Sequence, residues 1–473
     1  MVSLRHRLYW KAPPFVKNWL ASWNARNLDA ERYGPEREEI LRQIAEHDQW
    51  SAAQFVEYQR RELRELVRHA ARNVPYYRRL FADRGIDPER IEGPEDLVHL
   101  PILEKQTLRA DPVSLVDERL DRKKLVVGHT SGTTGTPVVL YRSVWLNSSI
   151  FAYFDARCHE IEGMCRRRNR SMSVGVHLVT HPARTKPPFW VHNRRWRQLY
   201  MSSCHLAPRY LDAYVEEIRT FQPEYIEGYP SCIYAIASHI VENGLEPIPV
   251  KACFCTAETL FDHHRRAIRE AFCCRTCNQY GCGETVVFAA ECKEGSMHLS
   301  PEVGIVEVVD DDDRPVEPGQ VGQLVCTSLV NKVQPLIRYR VGDTGSLGTG
   351  PCGCGSPLPL LGQIGGRIDD VVVTRDGRRI GRLDPVFKDV QGIVEAQIVQ
   401  NDYDRFVMRI VPGKDYTDAD GRTAVSNLSR RVGDADIRVE LVDRVERTSS
   451  GKFKAVICNL PRERASRDAE QGA

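Results

Sequence analysis

The chain has 473 residues, a formal net charge of +2 and 15 cysteines. That length supports more than one domain with a sizeable core, and the near-balance of charge excludes a global pull toward nucleic acid. With no apolar run of membrane-spanning length and no secretory signal, the cysteines are expected as thiols or metal ligands in a cytoplasmic protein rather than as a disulfide scaffold.

Residues 1–50 mix Trp10, Phe15, Trp19 and Trp23 with Arg5, Arg7, Lys11 and Lys17. Such a stretch suits an interfacial membrane contact or an arm whose aromatics pack on the main domain, and the arm is the expectation. Pro13-Pro14 argues against one long amphipathic helix. A helix is predicted from Ser51, its cap, with Leu63, Leu66, Val67, Ala70 and Ala71 on one face. Val74-Pro75 breaks it before a second short helix.

The segment His129-Thr130-Ser131-Gly132-Thr133-Thr134-Gly135-Thr136-Pro137 lies between the apolar runs 125–127 and 138–141. Both runs read as short buried strands, making the segment a hairpin-like turn on a sheet edge. Gly132 and Gly135 let the backbone come close to a ligand. The amides of such a turn can cradle an anion, and the hydroxyls of Thr130, Ser131, Thr133 and Thr134 add neutral donors. A flexible polar turn is the plainer alternative. The Walker pattern is absent.

Beyond the turn, a helix is predicted over 143–160, a buried strand over 174–179 and a helix over 210–221. Residues 225–231 read as strand, turn and helix cap, 250–255 as a strand, and 258–272 as a helix. This alternation argues for α/β layers with parallel pairing. From Gly304 the texture changes: runs 305–309 and 323–327 flank the polar turn 310–322, a hairpin signal. The four acids 310–313 lack EF-hand spacing. After Arg367 a separate α+β unit is expected, with strands at 371–374, 394–400, 405–411 and 437–442, a helix near 422–432 and a frayed tail from Arg462.

Five segments, taken together and in order, resemble the adenylate-forming superfamily of acyl-CoA synthetases, adenylation domains and luciferases. They are the turn 130–136, Thr256-Ala257-Glu258, Gln279-Tyr280-Gly281-Cys282-Gly283-Glu284-Thr285, Arg338-Tyr339-Arg340-Val341-Gly342-Asp343, and Arg447-Thr448-Ser449-Ser450-Gly451-Lys452. The resemblance implies that the turn, with Thr130 catalytic and Ser131 to Gly135 binding nucleotide, holds the ATP phosphates. It departs from the family pattern in placing Thr136 where a lysine is common. It further implies that Glu258, Tyr280 and Gly281 line the nucleotide pocket, that Glu284 helps hold Mg²⁺, and that Asp343 takes the ribose hydroxyls. Arg367 would reach ribose or phosphate, and Asp369, in Gly365–Asp370, would be the hinge. Lys452 would meet the substrate carboxylate and α-phosphate, offsetting the charge gathered there.

Tyr58-Gln59, Val74-Pro75-Tyr76-Tyr77, Pro188-Phe189-Trp190 and Gly228-Tyr229-Pro230-Ser231 look like the phenylacetate–CoA ligase-like branch, nearest its members encoded with capsular polysaccharide genes. From that resemblance the acyl-pocket candidates are Tyr229, Ser231 and His205, with Phe189, Trp190 and Tyr200 beside them.

Cys292 and His298, with the tight pair Cys352 and Cys354, form a set that zinc accepts in structural sites. The two halves flank the Asp343 segment, so a clip there is expected to brace the nucleotide pocket. Ordinary buried cysteines are the alternative. Cys253, Cys255, Cys273, Cys274 and Cys277 have no comparable histidine and read as core or strand residues.

The expected fold is α/β. A large N-terminal adenylating domain of layered sheets and helices spans 1–367, with a helical arm over 1–100. A small mobile α+β lid spans 368–473. The expected activity joins a carboxylic acid to ATP and passes the acyl group to coenzyme A. An amine acceptor, or a nucleotide-binding scaffold without turnover, are the other readings. The expected partners are small molecules and no nucleic acid, and a homodimer stays open.

Overall fold

The computed structural model describes residues 9–129, 138–159, 162–175, 179–181, 183–367, 372–375, 379–380, 383–387, 390, 392–447 and 453–460. The turn 130–137, the hinge residue Asp369 and Lys452 therefore lie outside the described residues, as do residues 448–451.

Four helices open the described chain: α1 (Pro14–Arg32), α2 (Pro35–His47), α3 (Ala52–Asn73) and α4 (Pro75–Arg84). Pro13-Pro14 does interrupt the stretch: helical residues 9–11 end before it and α1 starts at Pro14, with the prolines at its N-cap and first turn, where a missing N–H costs nothing. Not all the aromatics of α1 pack inward: Phe15, Trp19 and Trp23 are exposed. Helix α3 begins as read. The Ser51 side chain accepts from the Gln54 amide and the Gln54 side chain answers the Ser51 amide, a reciprocal cap. Leu63, Leu66, Val67 and Ala70 are buried on its inner face.

Helix α5 (Lys105–Ala110) precedes β1 (Val126–His129) and β2 (Val139–Arg142). These two pair antiparallel as a separate ribbon, with Val127 exposed, rather than as buried strands on the edge of the main sheet. Helix α6 (Val144–Phe154) is capped by Ser143, and a π-turn over 155–159 ends it early. Then come β3 (Ser171–Val174), β4 (Trp190–Asn193), β5 (Gln198–Met201), α7 (Pro208–Phe221), β6 (Tyr225–Gly228), α8 (Pro230–Glu242), β7 (Ala252–Cys255), α9 (Asp262–Phe272) and β8 (Arg275–Gly281). Gly175 follows β3 at φ +94°, and of the strand expected over 174–179, residues 176–178 lie outside the described residues.

The rest of the large sheet is β9 (Phe288–Glu291), β10 (Met297–Leu299), β11 (Gly304–Val309), β12 (Gly322–Ser328), β13 (Tyr339–Leu347) and β14 (Leu360–Arg367). Its twelve strands run β11-β12-β13-β14-β10-β9-β8-β7-β6-β3-β5-β4. The run β5-β3-β6-β7-β8 is parallel and both flanks are antiparallel. The expected hairpin is present, with Ile305 opposite Thr327 and Val309 opposite Gln323.

Strand alternation gives the parallel section two unlike faces. Met172, Val174, Leu199, Met201, Ile226, Cys253 and Cys255 join the apolar core with α7, α8 and α9. The intervening residues, among them Gln198, Tyr200, Tyr225, Glu227, Phe254, Thr256 and Gln279, face α6 and the end of α1 and line a cavity.

The chain ends in β15 (Val372–Val373), β16 (Arg379–Ile380), β17 (Ile393–Asp402), β18 (Arg405–Pro412), α10 (Asp418–Val432), β19 (Asp436–Leu441) and β20 (Val456–Cys458). The four-stranded sheet β19-β18-β17-β20 carries α10 over its own apolar core, which includes Ile398, Phe406, Met408 and Leu428. Among the described residues no helix is long and apolar enough to cross a membrane.

Candidate active site

Two adjoining cavities, of about 240 and 250 Å³, lie beside the parallel strands. They share Ile150, Phe154, Thr256 and Gln279 as a common wall. The first is bounded by the loop that ends β8, Tyr280 to Gly283, and by Arg142 at the end of β2. This is the carboxyl end of the parallel strands, where α/β sheets bind ligands.

Distant segments meet here. The Tyr280 hydroxyl donates to Asp343 Oδ2 at 2.8 Å, across 63 residues of sequence. Burial, and then the Asp343 carboxylate, raise the Tyr280 phenol well above its ordinary value, so it remains a neutral donor. Glu284 is buried, and its Oε1 accepts from the Tyr339 hydroxyl at 2.8 Å and from Lys105 Nζ at 3.1 Å. Its Oε2 makes no bond among the described residues. The carboxylate is thus held through one oxygen by described residues, which fits one acid on a magnesium ion that keeps phosphate and water as its remaining ligands. The Cys282 thiol is pushed up to about 12 by burial and then by Glu284, so no thiolate nucleophile stands at this loop.

Lys105 and Arg142 were not singled out from the sequence. Arg142 donates to the Gly283 carbonyl and lies near Glu284. Burial lowers its pKa, an effect that Glu284 opposes. These two cations stand beside the Glu284 loop, although Thr136 replaces the turn's usual lysine. No local pattern marks them: Lys105 lies 179 positions from its partner.

Glu258 joins the large sheet to the C-terminal segment. Its Oε2 accepts from Ser231 Oγ at 2.6 Å, and its Oε1 from the Phe453 amide at 2.6 Å. Phe453 is the described residue next to Lys452. Arg447 is held by Glu395 and donates to Ser231 Oγ at 2.8 Å. Burial works against the Arg447 charge, and Glu395, Cys232 and Glu258 together more than offset it. Ser231, expected in the acyl pocket, therefore takes part in this contact between the two parts of the chain.

His205 and Tyr229 line neither cavity. His205 stacks on Phe189 with centroids 4.3 Å apart and bonds Ser202 Oγ at 2.9 Å. Tyr229 packs against Gly175. Tyr200 does line the second cavity. Arg367 ends β14, its backbone paired with Asp343. Three residues beside these segments adopt left-handed backbone: Ala257 (φ +68°), Thr285 (+56°) and Arg338 (+48°). Such conformations cost energy and concentrate where geometry is imposed by function.

Cys292, His298, Cys352 and Cys354 come together, every ligand atom within 4.8 Å of the others. Cys292 Sγ is 3.7 Å from Cys352 Sγ, and Cys354 Sγ is 3.4 Å from His298 Nε2. Tetrahedral zinc, with bonds of about 2.3 Å to sulfur and 2.0 Å to nitrogen, requires about 3.8 and 3.5 Å between such atoms. His298 Nδ1 lies 3.0 Å from the Leu358 carbonyl, an orientation that leaves Nε2 as the ligand. The donors fit a structural zinc. They lie beyond the Leu347 end of β13, however, several residues from Asp343. The clip flanks the nucleotide segment in sequence but ties the opposite end of its strands.

The chain matches the family model "AMP-binding enzyme" over residues 99–329 and "CapK C-terminal domain" over 372–459. It is 26% identical to Protein CapK of Staphylococcus aureus, covering 96% of this chain and 99% of that one. It is 30% identical to the phenylacetate-coenzyme A ligase of Thermus thermophilus, covering 67% of this chain and 71% of the relative. The Pseudomonas putida enzyme of the same name is also 30% identical, over 67% of this chain and 72% of its own. Among solved structures, 2-hydroxyisobutyryl-CoA ligase in complex with R3-HIB-AMP superposes with a TM-score of 0.66 at 22% identity, over 94% of this chain and 95% of that one.

Proposed function

Since the chain belongs to the adenylate-forming enzymes, in the phenylacetate–CoA ligase-like branch near CapK, and is an AMP-forming ligase, we propose that it activates a small carboxylic acid with ATP and passes the acyl group to coenzyme A. One observation carries the reading: the Tyr280 loop that bounds the first cavity is tied to Asp343, and Glu284 beside it to Tyr339 and Lys105, while Phe453, next to Lys452, docks on Glu258.

In the first step a substrate carboxylate oxygen attacks the α-phosphorus of ATP and pyrophosphate leaves. Asp343 takes the ribose hydroxyls, with Tyr280 fixing its other oxygen, and Arg367 supports ribose or phosphate. Lys105 and Arg142 supply positive charge beside the loop that holds Glu284. The turn 130–135 cradles the departing phosphates through its amides and hydroxyls. Glu284 would hold the magnesium ion that accompanies ATP, whose charge would shield the phosphates. Lys452 bridges the two anions and lowers the cost of bringing them together. The small C-terminal unit, 368–473, then turns about Asp369, withdraws Lys452, and the thiol of coenzyme A attacks the acyl carbonyl, releasing AMP. Both steps proceed without a protein nucleophile.

The cysteine–histidine clip holds a structural zinc, and a role in polysaccharide biosynthesis in the cytoplasm rests on the sequence resemblance to the capsular members of the branch. The test is Lys452→Ala. ATP–pyrophosphate exchange should fall by about a thousandfold, about 4 kcal/mol, while reaction of preformed acyl-adenylate with coenzyme A is retained. Equal loss of both half-reactions would refute the rotation.

A further inference from the structure

The second cavity is lined on its sheet side by Gln198, Tyr200, Tyr225, Glu227 and Gln279, a polar face where a sheet covered on both sides ordinarily carries apolar residues. Its charges are unevenly matched. Arg166 Nη2 donates to Glu227 Oε2 at 2.8 Å, and Gln198 Nε2 donates to Glu227 Oε1 at 3.2 Å. Arg37 Nη2 donates to Asp155 Oδ2 at 2.6 Å, and Arg166 Nε approaches Asp155 Oδ1 at 3.4 Å. Each of those two cations thus has a carboxylate to pair with, although Arg166 Nε and Asp155 Oδ1 make no hydrogen bond.

Arg32, at the end of α1, is the third guanidinium of this group, and no hydrogen bond or ion pair holds it among the described residues. Its plane packs on Phe151 at 4.5 Å and on Trp196 at 5.5 Å. Stacking of this kind uses the face of the group and leaves its N–H donors in the plane for another partner. Its Nε is sealed from solvent without a partner, as is Oε1 of Gln279 on the shared wall. Burial lowers the Arg32 pKa, only partly offset by Tyr200, Tyr33 and, more weakly, Glu31. A cation kept in such a place is costly to the unliganded protein unless a ligand answers it.

From these contacts we infer that the acid activated here carries a second anionic group, which Arg32 receives at the far end of the second cavity from the Tyr280 loop. The inference rests on the ligase reading for which carboxylate reacts, but not for the binding itself. The aromatic walls, Phe151, Phe154, Trp196 and Phe254, accommodate a short chain or ring between the two ends.

Matched acids test it. Glutarate and pentanoate, and 4-carboxyphenylacetate and phenylacetate, are titrated by calorimetry against the full chain holding a non-hydrolysable ATP analogue and Mg²⁺. The dianion of at least one pair should bind about tenfold or more tightly than its monoanion. Arg32→Met should erase that preference, and Arg32→Lys should retain part of it. Because Arg32 has no ion pair among the described residues, Arg32→Met without ligand should melt no lower than the wild type, which separates ligand recognition from a structural role. Equal or absent binding of the dianions, or a preference that survives Arg32→Met, overturns the inference. Pyrophosphate release is measured in parallel. Arg32-dependent binding without release would refute the ligase reading and leave the anion site standing, whereas release with the monoanions alone would do the reverse.

Discussion

The two cavities share a wall and differ in how their polar groups are answered. On the Tyr280 side Asp343 and Glu284 each hold a phenol, and Glu284 holds Lys105 as well. On the Arg32 side two guanidinium groups are paired and the third has no hydrogen bond or ion pair among the described residues. The first arrangement is prebuilt, its carboxylates oriented before any ligand arrives. The second keeps an unanswered donor, which is a cost to the fold and a means of selecting a ligand. Chemistry common to a whole family is carried by the first kind of site, and choice among acids by the second.

The sheet beneath the second cavity offers the largest perturbation. Gly228 lies at φ +156°, and a Cβ there would stand 2.1 Å from the Val174 carbonyl oxygen. Gly228→Ala should force β3 and β6 apart and cost about 4 kcal/mol, from overpacking and an unfavourable φ together. Chemical denaturation would show it, and both cavities should lose ligand at once. A variant with unchanged stability would mean that the strands yield more easily than their pairing indicates.

Asp343→Ala separates the two sites. It removes the proposed ribose acceptor and the carboxylate that the Tyr280 hydroxyl donates to. kcat/KM for ATP should fall about a hundredfold, about 3 kcal/mol, while the acid's binding constant stays within a few-fold of wild type. An equal loss for acid and ATP would dissolve the distinction between the cavities.

The smallest effect on activity is expected from metal removal. A chelator, or Cys354→Ser, should abolish a stoichiometric zinc signal and lower stability by about 2–3 kcal/mol. KM for ATP should hold in the protein that stays folded, since the clip ties the strand ends away from Asp343. A metal assay showing no zinc would remove the clip.

Several features were legible residue by residue. Ser51 with Gln54 announced the start of α3, and Val74-Pro75 its end. The strand–helix alternation from β3 to β8 announced parallel pairing, and the spacing of Cys292, His298, Cys352 and Cys354 announced a ligand set that the fold does assemble. Pro13-Pro14 announced a break, because a proline is tolerated only in a helix's first turn. The runs 125–127 and 138–141 were misread as the edge of the main sheet, because an apolar run does not say which sheet it joins. The acyl-pocket residues His205 and Tyr229 were chosen by resemblance, and the fold packs one on Phe189 and the other on Gly175.

Local order in the polymer determined the elements, the family and the reacting groups, because caps, alternation and short segments are set by neighbours a few residues apart. Tertiary structure alone decided that Lys105 reaches Glu284, that the clip sits away from Asp343, and that Arg32 stands over Phe151 without an acid. Those facts depend on which side chains meet across more than a hundred positions, and on which buried charges are left unpaired once they do.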